Sequence, residues 1–360
     1  MEFITLESEK FRKFADKYPD KSFYQTPEIA ELRAENGWTP YYFGVEENGK
    51  LKAASLVVAR PAFLGKSIYY TPGGPLIDYE DEALTNFFFK NLKNYAKSHN
   101  GYILHIEPYY EKIARDRGGE PIPDGFNRQK ALQNLRKIGF ATLKQSDEPK
   151  YSFAMELKDQ TVDKIFADMK RNTRNHIRKA EKMGVKIREL KREELGIFKQ
   201  ITESTSKRRN FTDKPLSYYE KMYDLFHDRG EVKFIIAEVK LEENSSLTPL
   251  SAAMFITYGD EVIYLFSGSD EQYMKDYNAQ YLIQWHMIKY AIENGFKRYN
   301  FYGIQGLPDK TSKDYGIYDF KKGFTSPETG RVIELLGAHE LPVNSFFYNL
   351  HHLLNKLKHH

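Results

Sequence analysis

The sequence predicts an α/β (α+β) protein made of two tandem domains, each built on a mixed sheet. Its 360 residues exceed one ordinary domain of ~100–200 residues. Apolar periodicity switches repeatedly between the strand and the helix pattern. The order of the resulting elements in the first half then recurs in the second.

In the first half a helical stretch ends near Glu35, and Tyr41–Val45 and Leu51–Arg60 read as strands around the turn Glu47-Asn48-Gly49-Lys50, a hairpin. Ser67–Tyr70 reads as a strand closing on Thr71-Pro72-Gly73-Gly74-Pro75; an amphipathic helix over 82–99 and a strand over 102–107 follow. In the second half, helices across 195–226 lead to strands at 232–239, 250–256 and 261–266, a helix over 279–294 and a strand over 298–302. Matching Phe43 with Ile235, Ile68 with Ile263 and Leu104 with Asn300 gives offsets of 192, 195 and 196 residues. A tandem duplication with small indels accounts for this, the alternative being two unrelated α/β halves of similar order. The order is that of an acyltransferase-like mixed sheet, and its doubling predicts a cleft between the halves, a common place for ligands. The boundary is expected near Lys150, giving domains 1–150 and 151–335, with a C-terminal helix at about 340–358 packing back on the first.

Composition narrows the function classes. No apolar run approaches the ~18 residues of a membrane span, and the opening MEFITLESEKFRKF has no leader character, so a cytoplasmic location is expected. With no cysteine there is no disulfide, thiolate nucleophile or Cys-ligated metal. A net charge of +4 does not by itself demand a nucleic-acid partner. The ten histidines make no metal-ligand spacing, and the terminal ones, which an expression tag could contribute, are given no role.

Local charge is more informative. Lys170 to Lys182 is predicted helical, with Arg171, Arg174, Arg178 and Lys182 on one narrow face and Phe166, Met169, Thr173, Ile177 and Ala180 on the opposite one. Such a stripe is either solvated surface or a phosphate-binding face, and a single interleaved acid, Glu181, favours phosphate. Three other motifs fail on context. Arg136-Lys137-Ile138-Gly139-Phe140-Ala141 fits a loose acetyl-CoA pattern but leaves a helix for a strand, whereas pyrophosphate needs glycine amides that open a helix. Gly65-Lys66-Ser67 lacks the first P-loop glycine, position 60 being Arg. Phe266-Ser267-Gly268-Ser269 reads as a strand-end turn and not as a nucleophile elbow.

The segment RNTRNHIRKAEKMGVKIREL resembles the basic helix of the FemABX aminoacyltransferases, which build peptidoglycan cross-bridges. SFYQTPEIAEL, TPGGPLIDYE, KREELGIFKQITESTSKRRNFTDKPLSYYEKMYDLF, VIYLFSGS, RYNFYGIQG and DFKKGF are similar to that family in order and spacing. The resemblance spans nearly the whole chain and is closest to the branch that extends cross-bridges in streptococci and staphylococci. It implies a pair of acetyltransferase-like domains, no cofactor or metal, and two partners. These are aminoacyl-tRNA and a lipid-linked or UDP-linked muramyl peptide, with contact at the inner membrane face possible for the lipid-linked form. One departure is the long helical arm of that branch, which here shrinks to the stretch 241–249 by natural absence or engineered deletion.

The resemblance also implies site residues. Arg33 stands where a basic residue, usually Lys, contacts the precursor diphosphate. Lys214 and Tyr218 stand at precursor-binding positions, the alternative being an ordinary helix N-terminus after Pro215. Lys321 matches a lysine stabilising negative charge near the transferred acyl group, or else is a solvated strand-end lysine. Glu107 matches an acidic cleft position, or else belongs to a buried ion pair. The basic face Arg171, Arg174, Arg178 and Lys182 would contact tRNA. Aminolysis of an aminoacyl ester is downhill, so the expected demands are proximity and oxyanion stabilisation. An acyl-CoA-dependent N-acyltransferase and a non-catalytic immunity or RNA-binding protein are the competing classes.

Overall fold

The computed structural model describes residues 1–243 and 246–358, the side chains of 355–358 excepted. The elements are β1 (Glu2–Thr5), α1 (Ser8–Ala15), α2 (Pro27–Glu35), β2 (Thr39–Glu47), β3 (Lys50–Phe63), β4 (Lys66–Gly73), α3 (Glu82–Ser98), β5 (Gly101–Pro108), β6 (Glu111–Ile113), α4 (Gln129–Ile138) and β7 (Ala141–Thr142). There follow β8 (Tyr151–Glu156), α5 (Val162–Asp168), α6 (Arg171–Lys182), β9 (Lys186–Glu189), α7 (Leu195–Arg209), α8 (Leu216–Phe226), β10 (Val232–Lys240), β11 (Leu247–Tyr258) and β12 (Glu261–Ser269). The last are α9 (Met274–Tyr277), α10 (Ala279–Glu293), β13 (Arg298–Gly303), α11 (Tyr315–Lys322), β14 (Gly330–Leu335), β15 (His339–Pro342) and α12 (Ser345–Lys358).

The chain divides into two units. The first comprises Met1–Ala114, Pro121–Lys150 and Glu334–His360, the second Arg115–Glu120 and Tyr151–Ile333. Arg115–Glu120, placed by sequence in the first half, joins the second unit through specific bonds. Arg117 donates to Thr325 O at 2.7 Å, Tyr318 Oη donates to Arg117 O at 2.7 Å, and Val332 N donates to Asp116 O at 3.1 Å. The helix expected over about 340–358 begins only at Ser345, because His339–Pro342 pairs with β5 as a strand. Between β10 and β11 no helical arm intervenes in the described residues, while Asn244 and Ser245 of the stretch 241–249 lie outside them.

In the first unit the sheet order is β1-β2-β3-β4-β5-β15-β7. Strand residues alternate between two faces. One face carries Phe43, Val57, Tyr69, Leu104 and Ile106 against Phe88, Phe89, Leu92 and Leu135 of α3 and α4. The other lies under α1, α2 and α12. The motifs around SFYQT and TPGGP are packing partners. The buried Gln25 accepts from Leu56 N at 2.8 Å and donates to Pro72 O at 2.7 Å. A Cβ at Gly73 would come within 2.5 Å of Ser22 Oγ, so only glycine admits this approach.

The second unit's sheet runs β14-β8-β13-β12-β11-β10-β9. Its core joins Phe153, Phe255, Val262, Tyr299 and Phe301 to Ile283, Met287 and Ile288 of α10 and to Ile177 and Ala180 of α6. Helix α7 packs against β11 and β12, close enough that a Cβ on Gly268 would meet Ile201 O at 2.4 Å. That close approach explains the glycine of the FSGS segment.

The parallel strand pair at the centre of each sheet differs between the units. In the first, β4 and β5 pair from Ser67 with Gly101 to Gly73 with Pro108. In the second, β12 and β13 pair only at Glu261–Arg298, Val262–Tyr299 and Ile263–Asn300. Among the described residues no later pair joins them, although β12 continues to Ser269 and β13 to Gly303. The second sheet is therefore open at the C-terminal ends of its parallel strands, where α/β folds commonly bind ligands.

Candidate active site

Lys321 sits at this opening. It occupies the last turn of α11 and is buried, which overturns the solvated strand-end alternative. Its Nζ donates to Tyr302 O at 3.0 Å and to Gly303 O at 2.6 Å, both at the end of β13. Two successive carbonyls converge because Tyr302 adopts φ 63°, an unusual conformation for a bulky residue. The buried Asn300 holds it there, its Oδ1 accepting from Tyr302 N at 2.8 Å. Among the described residues no carboxylate pairs with Lys321. Burial without a countercharge lowers its pKa from 10.5 to about 7.

Helix α6 is docked beside α11. Lys170 pairs with Asp319 at 2.6 Å, Lys170 N donates to Gly323 O at 2.9 Å, and a Cβ at Gly323 would meet Thr173 Oγ1 at 2.4 Å. Thr173, Ile177 and Ala180 form the buried side as the periodicity predicts. Phe166 and Met169 do not belong to that helix, because α5 ends at Asp168 and Met169 is extended. This corrects the opposite face too. Arg174 donates to Ala167 O at the end of α5, and Arg178 stacks on Phe166 at 5.3 Å. Arg171, Arg178 and Lys182 are exposed, whereas Arg174 is half-buried.

Lys214 and Tyr218 come together at the start of α8, the ammonium 5.4 Å from the ring centroid. The sequence reading missed what arranges them. Asp213 accepts from Lys199 at 2.7 Å, Thr202 Oγ1 at 2.8 Å, Tyr219 Oη at 2.5 Å and Lys214 N at 2.9 Å. Burial opposes its charge, but the Lys199, Tyr219 and Thr202 bonds outweigh it and lower its pKa. A carboxylate ahead of Lys-Pro was the available signal. Lys214 is exposed and has no carboxylate partner among the described residues.

In the first unit Arg33 and Glu107 are linked through Tyr70. The guanidinium lies 5.5 Å from the Tyr70 ring, and Tyr70 Oη donates to Glu107 Oε2 at 2.7 Å. Glu107 Oε1 accepts from Asp147 N at 2.7 Å and Ser146 Oγ at 2.9 Å, with His105 Nε2 at 3.3 Å. Burial raises the Glu107 pKa, but the bonds from His105, Tyr70 and Asp147 outweigh it, so the carboxylate stays ionised and both oxygens are engaged. The buried ion-pair alternative therefore describes its surroundings. His105 also faces Glu340 at 3.5 Å, which His352 of α12 reaches at 3.1 Å. His105 and Glu107 were detectable as two polar residues on one face of a strand.

Burial lowers the His105 pKa, but hydrogen bonds to Glu107 and Glu340 more than offset this and raise it from 6.5 to about 9. A raised folded-state pKa stabilises fully below pH 6.5, and that contribution is lost as pH rises through 9. The stability difference between wild type and His105→Gln in thermal unfolding should therefore decline over pH 6.5–9. The same pH dependence in both proteins would remove His105 as a contributor.

The described residues contain no helix long and apolar enough to cross a membrane. The family model described as the FemAB family matches residues 6–248 and 241–356, nearly the whole chain in two segments that meet at 241–248. The chain belongs to the FemAB family. Among relatives of this FemAB chain, Aminoacyltransferase FemA of Staphylococcus aureus (strain bovine RF122 / ET3-1) is 28% identical over 422 aligned residues, covering 99% of each chain. The same protein from strain N315 matches equally, with 28% identity and 99% coverage of both. An alignment of 422 positions against 360 residues leaves at least 62 positions of these relatives unmatched here (422 − 360). The solved structure titled "Crystal structure of FemX" superposes with TM-score 0.83 at 21% identity, over 97% of this chain and 99% of that one. A tandem GNAT protein from the clavulanic acid biosynthesis pathway gives TM-score 0.52 at 10% identity, over 95% and 98%. The FemAB fold is thus the doubled acetyltransferase-like fold that the repeat predicts.

Proposed function

We propose that this FemAB-family chain transfers an amino acid from aminoacyl-tRNA to the amine of a peptidoglycan precursor stem or growing cross-bridge peptide. The observation that carries the reading is Lys321, a buried cation held by carbonyl dipoles alone at the open end of the second sheet. The acceptor nitrogen attacks the ester carbonyl, a C–N bond forms, the C–O bond to the tRNA ribose breaks, and the amine's proton ends on the ribose hydroxyl. In the tetrahedral intermediate the carbonyl oxygen becomes anionic. Lys321 lacks a countercharge in the resting state, so an oxyanion stabilises its ammonium more than a neutral ester does, which is the differential binding that catalysis needs. Glu107, with both oxygens committed, serves this reading as the anchor of Tyr70 and His105 and not as the base.

Arg33, Lys214 and Tyr218 bind the precursor, and the exposed cations of α6 bind tRNA. Acyl-CoA is disfavoured as the donor because the segment joining β12 to α10, Asp270 to Asn278, has no glycine to offer a pyrophosphate cradle. The test is transfer of radiolabelled amino acid from charged tRNA to nucleotide-linked and lipid-linked acceptors, with acetyl-CoA as the competing donor. Transfer from acetyl-CoA alone would overturn the reading. Lys214→Ala is expected to raise the precursor KM about tenfold while leaving the tRNA KM unchanged. An unchanged precursor KM would remove Lys214 from the binding surface.

A further inference from the structure

Among the described residues the most exposed large apolar side chains are Leu64 and Phe346, each 70% exposed, and their elements touch. Lys66, just after Leu64, has its Nζ 5.2 Å from the ring centroid of Phe347, which neighbours Phe346 at the start of α12. Leu64 and Gly65 form the two-residue turn between the paired Phe63 and Lys66, at φ 47° and 70°. A hairpin turn of this kind suits Asn, Asp or Gly and strains a leucine. Of the other non-glycine residues at positive φ among the described residues, six are Asn or Asp and the seventh is Tyr302 at the candidate active site. Leu64 buries little in return for its strain, which marks the position as functional.

The turn stands clear of its sheet. The last pair of β2 with β3 is Thr39 with Ala59, and β4 meets β5 only from Ser67. Beyond them Arg60, Pro61, Ala62, Leu64 and Gly65 are exposed. Helix α12 docks by its other side, His351 lying 5.6 Å from the Tyr102 ring and His352 reaching Glu340. Phe346, Asn349 and Leu353 are left exposed at the spacing of one helix face. Charge around this surface has one sign. Arg60 lies 4.5 Å from the Trp38 ring centroid, and neither it nor Lys66 has a carboxylate partner among the described residues. Residues 59–67, 97–101 and 344–350 contain no acid. Aromatic contacts order these cations without neutralising them.

We propose that the β3–β4 turn and the outer face of α12 dock on an anionic lipid bilayer. Leu64 and Phe346 enter the acyl boundary while Arg60 and Lys66 stay at the headgroups, the division of labour of interfacial anchors. A second copy of the chain would fit less well, because it would set the same cations against each other. The use of the docking rests on the acceptor reading above, since a lipid-linked acceptor lies in that surface; the docking itself does not.

The test is co-sedimentation of the full chain with vesicles of phosphatidylglycerol and phosphatidylcholine in equal parts, and with vesicles of phosphatidylcholine alone. Wild type should bind the anionic vesicles, less so as salt rises, and the neutral ones about tenfold more weakly. Leu64→Asn should weaken binding to the anionic vesicles about tenfold, and adding Phe346→Ser should bring the loss to about 100-fold. Asparagine suits the positive φ, so Leu64→Asn should unfold at no lower temperature than wild type, which separates docking from folding. Absence of wild-type binding, or equal binding by wild type and the double variant, would overturn the proposal. So would self-association of the chain that the double variant abolishes, since the surface would then join two copies. Where the acceptor reading holds, the double variant should slow transfer to a lipid-linked acceptor in anionic vesicles and leave transfer to a nucleotide-linked one unchanged. Failure of that reading looks different: no acceptor would receive an amino acid from charged tRNA, while vesicle binding and its loss in the variants would remain.

Discussion

Lys321→Met is expected to lower kcat about 100-fold, to leave both KM values within about twofold, and to leave the fold no less stable. The rate effect follows from what the ammonium meets. Before reaction its partners are two neutral carbonyls at 3.0 and 2.6 Å, and a full negative charge exists only in the intermediate. Removing the ammonium therefore removes an interaction made in the transition state and not in the ground state. The stability effect follows from the same burial. With the folded pKa lowered from 10.5 to about 7, the unfolded chain binds this proton more tightly. The penalty is complete below pH 7 and is relieved as pH rises from 7 towards 10.5, so wild-type stability gains a rising component there that Lys321→Met lacks. Methionine fills much of the same volume, and the freed carbonyls are the only new cost. A kcat near wild type would sink the oxyanion role. A large loss of stability with both KM values raised would instead make Lys321 a packing residue.

The fold was largely legible in the residues, and the physical reason is periodicity. Strand and helix patterns around Phe43, Ile68, Leu104, Ile235 and Ile263 locate the doubled order, since each period is set by which face must be buried. What escaped was geometry made by tertiary contact. The open end of β12 and β13 has no signature: Ser267 to Ser269 reads as a strand-end turn, whereas β12 continues to Ser269 because it pairs there with β11. The Tyr302 conformation depends on the Asn300 side chain turning back to its amide, and nothing in RYNFYG announces that. Arg60 looks like any strand-end arginine until Trp38, twenty-two positions earlier (60 − 38), is brought over it. Glu107 shows the opposite limit: the residue type and position were readable, but whether its oxygens are free is decided by Ser146 and Asp147, far along the chain.

Replacing Arg171, Arg178 and Lys182 together by Gln is expected to weaken tRNA binding ~10- to 100-fold near physiological salt and to make its salt dependence shallower. If each cation neutralises one phosphate, the slope of log affinity against log salt should lessen by about two to three, because each contact releases condensed counterion. The structure selects these three over Arg174. All three are exposed on α6, while Arg174 is half-buried and donates to Ala167 O at the end of α5. Arg174→Gln is then the structural control: it should lower thermal stability by about 1 kcal/mol, the net worth of one such bond, with a smaller change in salt slope. Gln keeps helix propensity, and the buried Thr173, Ile177 and Ala180 side is untouched, so the triple variant should fold. Its Arg178 component also removes a cation–π contact with Phe166, worth at most about 1 kcal/mol at an exposed position. Precursor affinity, read on the same protein, should not move. Fluorescence anisotropy of tRNA across a salt series, with thermal unfolding beside it, decides the matter. A triple variant that unfolds normally and binds tRNA with wild-type affinity and slope would make this face ordinary solvated surface and place the tRNA contact elsewhere on the chain.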